Sequence, residues 1–351
     1  MTRRMPDSLG EITMHWLKAC LAATLLLSAT AWADEAAPPL PKLRIDPQRV
    51  AVAGLSSGAY MATQAQLAYP EVFHDAALVA GGPWGCADGQ LSLALGSCMK
   101  GVPPPDTDAL VARAEQRARS GELGSLDALA QSHVYLLHGR ADAVVAPAVA
   151  EAGAAFYRKL RDEVPGLKGM QVVDDGQRDF GHNLPVAASG NDCRKSESPY
   201  LGHCGFDAAG AIFAHLYGPA PRKAVAPRGQ LRTFDQNAYR SGGADVFLAD
   251  TGYVYLPPDC LAGKSCGLLV ALHGCKQNAE AVGEAFVRDA GFNRWADVYD
   301  VAVLYPQTRA SFAPLNPQAC WDWWGYSGTN YDTRQGVQLR WLVDAVRAIE
   351  K

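Results

Sequence analysis

Short apolar runs recur along the chain, each closed by glycine, proline or a polar cluster. Residues 49–53 (RVAVA), 76–81, 134–137 and 170–173 are of this kind, and their unbroken hydrophobicity predicts strands covered on both faces. Between them the spacing turns helical: over 58–69, over 107–120 after the breaker Pro103-Pro104-Pro105, and over 148–162. Strand and helix alternating in this way predict an α/β fold with a mostly parallel central sheet flanked by helices. The 107–120 helix stands where it would cap a site.

Residues 219–229 (PAPRKAVAPRG) are rich in proline and basic side chains, and read as a linker or as a long surface crossing. Beyond them, 230–234, 244–248, 252–256, 268–272 and 301–305 have the character of strands. The last stretch, 332–351, brings Val337, Trp341 and Ala348 near one face of a helix. No internal repeat or low-complexity segment is present.

Composition narrows this picture. With 32 Lys and Arg against 36 Asp and Glu, the 351 residues carry a net charge of -4, which argues against nucleic acid or an anionic membrane surface as partner. Hydrophobic residues at 48% and charged ones at 19% exclude disorder and supply the core of one enzyme-sized domain.

The amino terminus accounts for the cysteines. Residues 19–33 form an apolar run that follows Lys18 and ends in Ala31-Trp32-Ala33. It is shorter than the roughly 20 residues of a membrane span and has the A-x-A ending of a secretory signal peptide. Removing 33 residues, Cys20 among them, leaves 318 residues and eight of the nine cysteines. An even number suits disulfides in an oxidising compartment, so the expected location is the periplasm or outside the cell. Pairing by proximity joins Cys86 with Cys98, Cys193 with Cys204 and Cys260 with Cys266, leaving Cys275 with Cys320; eight cysteines allow about 105 pairings. A zinc site is disfavoured because no C-x-x-C pair or H-x-x-x-H helix occurs.

Gly54-Leu55-Ser56-Ser57-Gly58 is a G-x-S-x-G pattern between a buried strand and a helix. That context makes it a nucleophile elbow, in which a sharp turn lifts the serine hydroxyl to a helix amino terminus. Ser56 is then the nucleophile, and Ser57 offers its backbone N–H to an oxyanion. Serine needs a base and an orienting acid, which in this fold come from later strand ends. His182, in Asp179-Phe-Gly-His182, is the base. Asp142, in the loop after the 134–137 strand, is the acid; its competing reading is a cap for the helix near Pro147, and Asp174, Asp175 and Asp179 are rival acids. The other histidines beyond the leader, at 74, 133, 138, 203, 215 and 273, do not follow the Ser, Asp, His order on strand ends.

The second oxyanion donor normally lies upstream of the nucleophile. Here the matching apolar strand, 268–272, runs into His273-Gly274-Cys275, downstream of His182. That order predicts a circularly permuted α/β-hydrolase: the chain begins just before the nucleophile strand, its late strands supply the early ones, and its final helix fills the place before the nucleophile strand.

Five motifs carry a family resemblance: GLSSGAYMA (54–62), HGRAD (138–142), GHNLPV (181–186), LHGCKQN (272–278) and CWDWWGY (320–326). Together they resemble the polyhydroxybutyrate (PHB) depolymerase family, of the catalytic-domain type whose oxyanion motif follows the triad. The resemblance covers nearly all of the chain beyond the leader. It implies a Ser56, Asp142 and His182 triad, oxyanion donors in the N–H groups of Ser57 and Cys275 with His273 associated with the hole, and a Cys275–Cys320 disulfide tying that loop to the Trp-rich segment. It implies a secreted serine esterase acting on a polyester or oligoester, with no metal or organic cofactor.

Many secreted members add a linker and a separate substrate-binding domain. The expectation here is a single catalytic domain over 34–351 without one, directed at amorphous polymer, oligomers or smaller hydroxyacid esters. Trp321, Trp323 and Trp324 form either a hydrophobic substrate cleft or packing around Cys320. A feruloyl or acetylxylan-type carbohydrate esterase uses the same triad and related motifs, and is the alternative function.

Overall fold

Each apolar run is too short to bury itself, and eight of them are drawn into one sheet. In the computed structural model, which describes residues 37–351, its strands are β1 (Ile45–Leu55), β2 (Asp75–Val79), β3 (His133–Gly139), β4 (Gln171–Arg178), β5 (Gln230–Asp235), β6 (Thr251–Leu256), β7 (Cys266–Leu272) and β8 (Val301–Tyr305). The expected signal peptide, residues 1–33, lies outside the described residues. The strand order is β4-β3-β2-β1-β7-β8-β6-β5. Neighbours pair in parallel except around β6, which runs antiparallel to both β8 and β5.

Read from β5 onward and then from β1, this is the α/β-hydrolase sheet with its second strand reversed, opened just before the nucleophile strand. The closure is visible at the chain ends. Helix α6 (Val337–Ile349) finishes beside the start of β1, where the Leu43 N–H donates to Ile349 O at 2.7 Å and the Lys351 N–H donates to Leu43 O at 2.9 Å. An unpermuted chain would run straight through this point.

Alternation along the strands sorts side chains to two cores. Val50, Val52, Leu268, Val270 and Leu272 face one layer, which contains Met61, Phe156, Tyr157 and Trp341. Those four belong to helices α1 (Ser57–Ala68), α3 (Pro147–Glu163) and α6. Ala51, Ala53, Leu269 and Ala271 face the opposite layer with Phe213 of α4 (Ala208–Tyr217) and Phe292 of α5 (Phe292–Tyr299). Burying each larger side chain is worth about 1.5–3 kcal/mol, and a one-residue slip would send every one of them to the wrong layer. The central helix α1 is buried at all 12 of its positions, as a helix enclosed on every side must be.

Several expectations need correction. Residues 244–248 are not a strand; only an isolated bridge joins Leu248 to Thr308. The Asp245 carboxylate accepts the Phe247 N–H at 2.8 Å, and Phe247 has φ 56°, so the backbone turns where extension was expected. β4 continues past residue 173 through polar residues because it is an edge strand. The helix over 107–120, α2 (Thr107–Arg119), does not line the cavity at Ser56. It packs on α3 and lays Arg113 and Arg117 against the Trp84 ring, with Arg117 paired to buried Asp332 at 2.8 Å. The 219–229 segment is a surface crossing, since the strands before and after it share one sheet. It is tied down where the Arg228 N–H donates to Asp297 and the Gly229 N–H to the Tyr255 hydroxyl.

The four disulfides join Cys86 to Cys98, Cys193 to Cys204, Cys260 to Cys266 and Cys275 to Cys320. Among the described residues no helix is long and apolar enough to cross a membrane.

Candidate active site

The turn after β1 is built by two glycines. A Cβ on Gly54 would lie 2.1 Å from Gly58 O, and one on Gly58 would lie 2.4 Å from Leu272 O, so neither position admits a side chain. Between them Ser56 takes φ 57° and ψ -118°, a conformation costly for a residue with a Cβ. It is held by its N–H donating to Val79 O at 2.8 Å, while its carbonyl accepts the N–H groups of Ala59 and Tyr60. The result is a partly exposed hydroxyl at the amino terminus of α1, on the wall of a cavity of about 400 Å³.

Asp142 is presented by the loop after β3, with its side chain fully buried. Its Oδ1 accepts the Val144 and Val145 N–H groups at 2.8 and 2.9 Å, and its Oδ2 accepts from His182 Nδ1 at 2.7 Å. The helix-cap reading fails: the residue before α3 is Ala146, and no side chain caps that helix. The rival acids are engaged by arginines, Asp174 by Arg158, Asp175 by Arg178 and Asp179 by Arg194.

His182 is itself fixed from both sides. Its backbone N–H donates to Ser196 Oγ at 2.8 Å. Its loop leans on a small sheet of Leu184–Val186, Leu201–His203 and Asn191–Asp192, stapled by Cys193–Cys204. A proton on Nδ1, donated to Asp142, leaves Nε2 as an acceptor, and the imidazole lines the same cavity as Ser56. His138 also approaches Asp142, with Nε2 3.9 Å from Oδ2. Burial lowers its pKa, which keeps the second imidazole neutral beside the acid.

Across the cavity, β7 ends in the His273-Gly274-Cys275 loop. The Gly274 N–H donates to Gln277 Oε1 at 2.8 Å and the Lys276 N–H to Gln318 O at 2.7 Å. Gln277 in turn donates to Pro199 O, and Cys275 is anchored by Cys320. The His273 ring is fully buried, does not line the cavity, and braces the loop from behind. Its Nδ1–H donates to Gly274 O at 2.7 Å and its Nε2 accepts the Thr308 N–H at 3.2 Å. Both bonds require the neutral ring, and burial lowers its pKa to about 4.

Known proteins resemble this chain in sequence and in fold. The family model described as Esterase PHB depolymerase matches residues 251–351. A poly(3-hydroxybutyrate) depolymerase from Delftia acidovorans is 37% identical over 333 residues, covering 93% of this chain and 65% of that protein. The chain thus spans about two thirds of that relative's length. A polyhydroxybutyrate depolymerase from Talaromyces funiculosus is 34% identical over 341 residues, covering 92% of this chain and 96% of that one. The chain belongs to the PHB depolymerase family.

Solved structures extend the likeness to the depolymerase fold. The crystal structure of PHB depolymerase from Penicillium funiculosum superposes with a TM-score of 0.79 at 30% identity, covering 89% of this chain and 98% of that one. A PHB depolymerase complexed with R3HB trimer gives a TM-score of 0.78 at 31% identity, with the same coverage.

Within this depolymerase-family cavity the tryptophans divide. Trp323 and Trp324 line it, and Trp323 stacks on Tyr60 with ring centroids 4.6 Å apart. Trp321 does not: it is fully buried, with its ring 5.6 Å from that of His273, and it packs the core behind the loop. The expectation of a substrate contact at Trp321 is therefore corrected.

Sequence reading missed Tyr60, Ser196 and the apolar wall of Leu91, Leu95 and Met99. Tyr60 had a signal, since it lies one helical turn beyond Ser56. Its hydroxyl donates to Cys98 O at 2.5 Å, and burial, then the Asp142 charge, raises its pKa, so it stays protonated. Ser196 had none, being carried to His182 by a long disulfide-tied loop.

Proposed function

We propose that this chain is an exported serine esterase that hydrolyses poly(3-hydroxybutyrate) or its oligomers through an acyl-enzyme. The observation that carries the reading is the 2.7 Å contact of Asp142 with His182 Nδ1, on the rim of the cavity into which Ser56 projects. The names of the aligned relatives and the trimer bound to a related enzyme supply the polyester. A mostly apolar cavity with few polar groups suits a methyl-bearing chain of uncharged ester units.

His182 Nε2 takes the Ser56 proton as Oγ attacks an ester carbonyl carbon. Asp142 holds the imidazole in the needed tautomer and stabilises its charged form. The N–H groups of Ser57 and Cys275 receive the tetrahedral oxyanion, each worth about 3 kcal/mol in the transition state. The intermediate collapses as the carbon–oxygen bond to the alcohol breaks, and His182 gives its proton to the departing oxygen. Water, deprotonated by His182, then attacks the acyl carbon; the bond to Ser56 Oγ breaks, His182 returns the proton to Ser56, and the acyl fragment leaves with a new carboxylic acid.

The test compares the purified protein with Ser56→Ala on amorphous poly(3-hydroxybutyrate), reading soluble hydroxybutyrate and oligomers by mass spectrometry, with a feruloyl ester in parallel. Serine-dependent release from the polyester is the expected result. Serine-dependent cleavage of the feruloyl ester alone would move the substrate to carbohydrate-linked esters.

A further inference from the structure

The cavity wall carries a single fixed charge. Of the residues that line it, Lys276 is the lone lysine or arginine, and none is an aspartate or glutamate. Its side chain is exposed, and among the described residues its ammonium makes no ion pair or hydrogen bond. The backbone beneath it is nevertheless fixed. Lys276 has φ 57°, its N–H is held by Gln318 O at 2.7 Å, and the preceding residue is locked in the Cys275–Cys320 disulfide. An unneutralised cation is thus carried on a rigid loop, one residue from a proposed oxyanion donor, in a site whose other walls are uncharged.

A hydroxyacid polyester has no charge along its interior. It has one at a single place, the carboxylate of its acid end, and every hydrolysis creates another. In a chain of hydroxyacid units the alcohol expelled at the scissile ester belongs to the fragment that ends in that carboxylate. We infer that Lys276 forms a carboxylate subsite for the acid end of an oligoester, so that the site prefers short chains whose terminal carboxylate lies on the leaving-alcohol side. This rests on the esterase function proposed above. An ammonium meeting a carboxylate at a partly exposed position contributes modestly, about three- to fivefold in kcat/KM at low salt, and is screened by added salt.

The experiment uses two substrates, the linear 3-hydroxybutyrate trimer as its free acid and the same trimer capped as a primary carboxamide, with internal ester cleavage followed by mass spectrometry. The expected result is a three- to fivefold preference for the free acid, shrinking towards unity in about 1 M sodium chloride. Lys276→Arg keeps the preference and Lys276→Glu reverses it. Equal rates for the two trimers, or a preference that Lys276→Glu leaves in place, would overturn the subsite while serine-dependent hydrolysis still stood. If neither trimer is cut, or both are cut equally by Ser56→Ala, the esterase reading fails and the subsite falls with it.

Discussion

Asp142 and His182 are 40 residues apart in the chain and 2.7 Å apart in the fold. The contact exists because β3 and β4 are parallel neighbours whose carboxyl-end loops emerge side by side. Asp142 divides its oxygens: Oδ1 satisfies two backbone N–H groups of its own loop, and Oδ2 receives His182. One carboxylate thus shapes the loop and orients the His182 imidazole.

Asp142→Asn separates those two tasks. The amide oxygen still accepts the backbone N–H groups, so the fold is retained, but an amide N–H facing Nδ1 favours the wrong imidazole tautomer. Ester hydrolysis is expected to fall by about 10³ to 10⁴ with little change in Tm. Kinetic assay and thermal unfolding of the same preparation check this.

The glycines of the turn differ in what they permit. Gly58→Ala drives a methyl into the Leu272 carbonyl, a backbone group that cannot swing away, and is expected to cost about 3 kcal/mol or more, or to prevent folding. Gly274→Ala meets Leu55 O and Ser56 Cβ at 3.4 Å, the tight edge of ordinary contact. It is expected to keep stability within about 1 kcal/mol while crowding Ser56 and slowing hydrolysis. Urea unfolding of both variants tests the contrast.

His273 links the loop to pH. Its folded pKa of about 4 lies below the roughly 6.5 of an unfolded histidine, so between these values the unfolded chain binds the extra proton. Stability is therefore full above about pH 6.5 and is lost as pH falls towards 4, by about 3 kcal/mol for this group. Buried His138 and half-buried His215, each lowered by desolvation, act in the same direction. His273→Gln is expected to be less stable near neutrality and to show a shallower acid loss, read by urea unfolding across that range.

The Cys275–Cys320 disulfide closes a 45-residue separation and holds the proposed oxyanion loop. Its removal by Cys275→Ala with Cys320→Ala is expected to cost about 4 kcal/mol on the chain-entropy model and to depress hydrolysis even where the protein remains folded. Removing Cys260–Cys266, at the amino end of β7 and away from the cavity, is expected to cost less and to spare kcat. Activity and unfolding of the two double variants distinguish the cases.

The turn at Ser56 was legible because its geometry is local: two glycines, a strand before and a helix after. The permuted sheet was legible from the order of parts, since the apolar run before His273 follows His182. Contacts made by irregular chain were not. Trp321, Trp323 and Trp324 sit in a segment with no helical or strand period, so nothing in their spacing tells which ring faces the cavity and which the core. The proline-breaker argument located α2 correctly but not its role, because its position was settled by Arg117 reaching buried Asp332 across 215 residues. The polar residues after 173 hid the length of β4: they belong to an exposed sheet edge, which tolerates side chains a central strand would refuse.

Covalent labelling of Ser56 tests the central claim most directly. The protein is treated with a fluorophosphonate, the adduct is mapped by peptide mass spectrometry, and residual hydrolysis of a 3-hydroxybutyrate oligomer is followed as labelling proceeds. A single adduct on Ser56, with activity lost in proportion to it and no adduct in Ser56→Ala, is the predicted result. Full labelling of Ser56 with hydrolysis undiminished, or loss of activity through an adduct elsewhere, would contradict it.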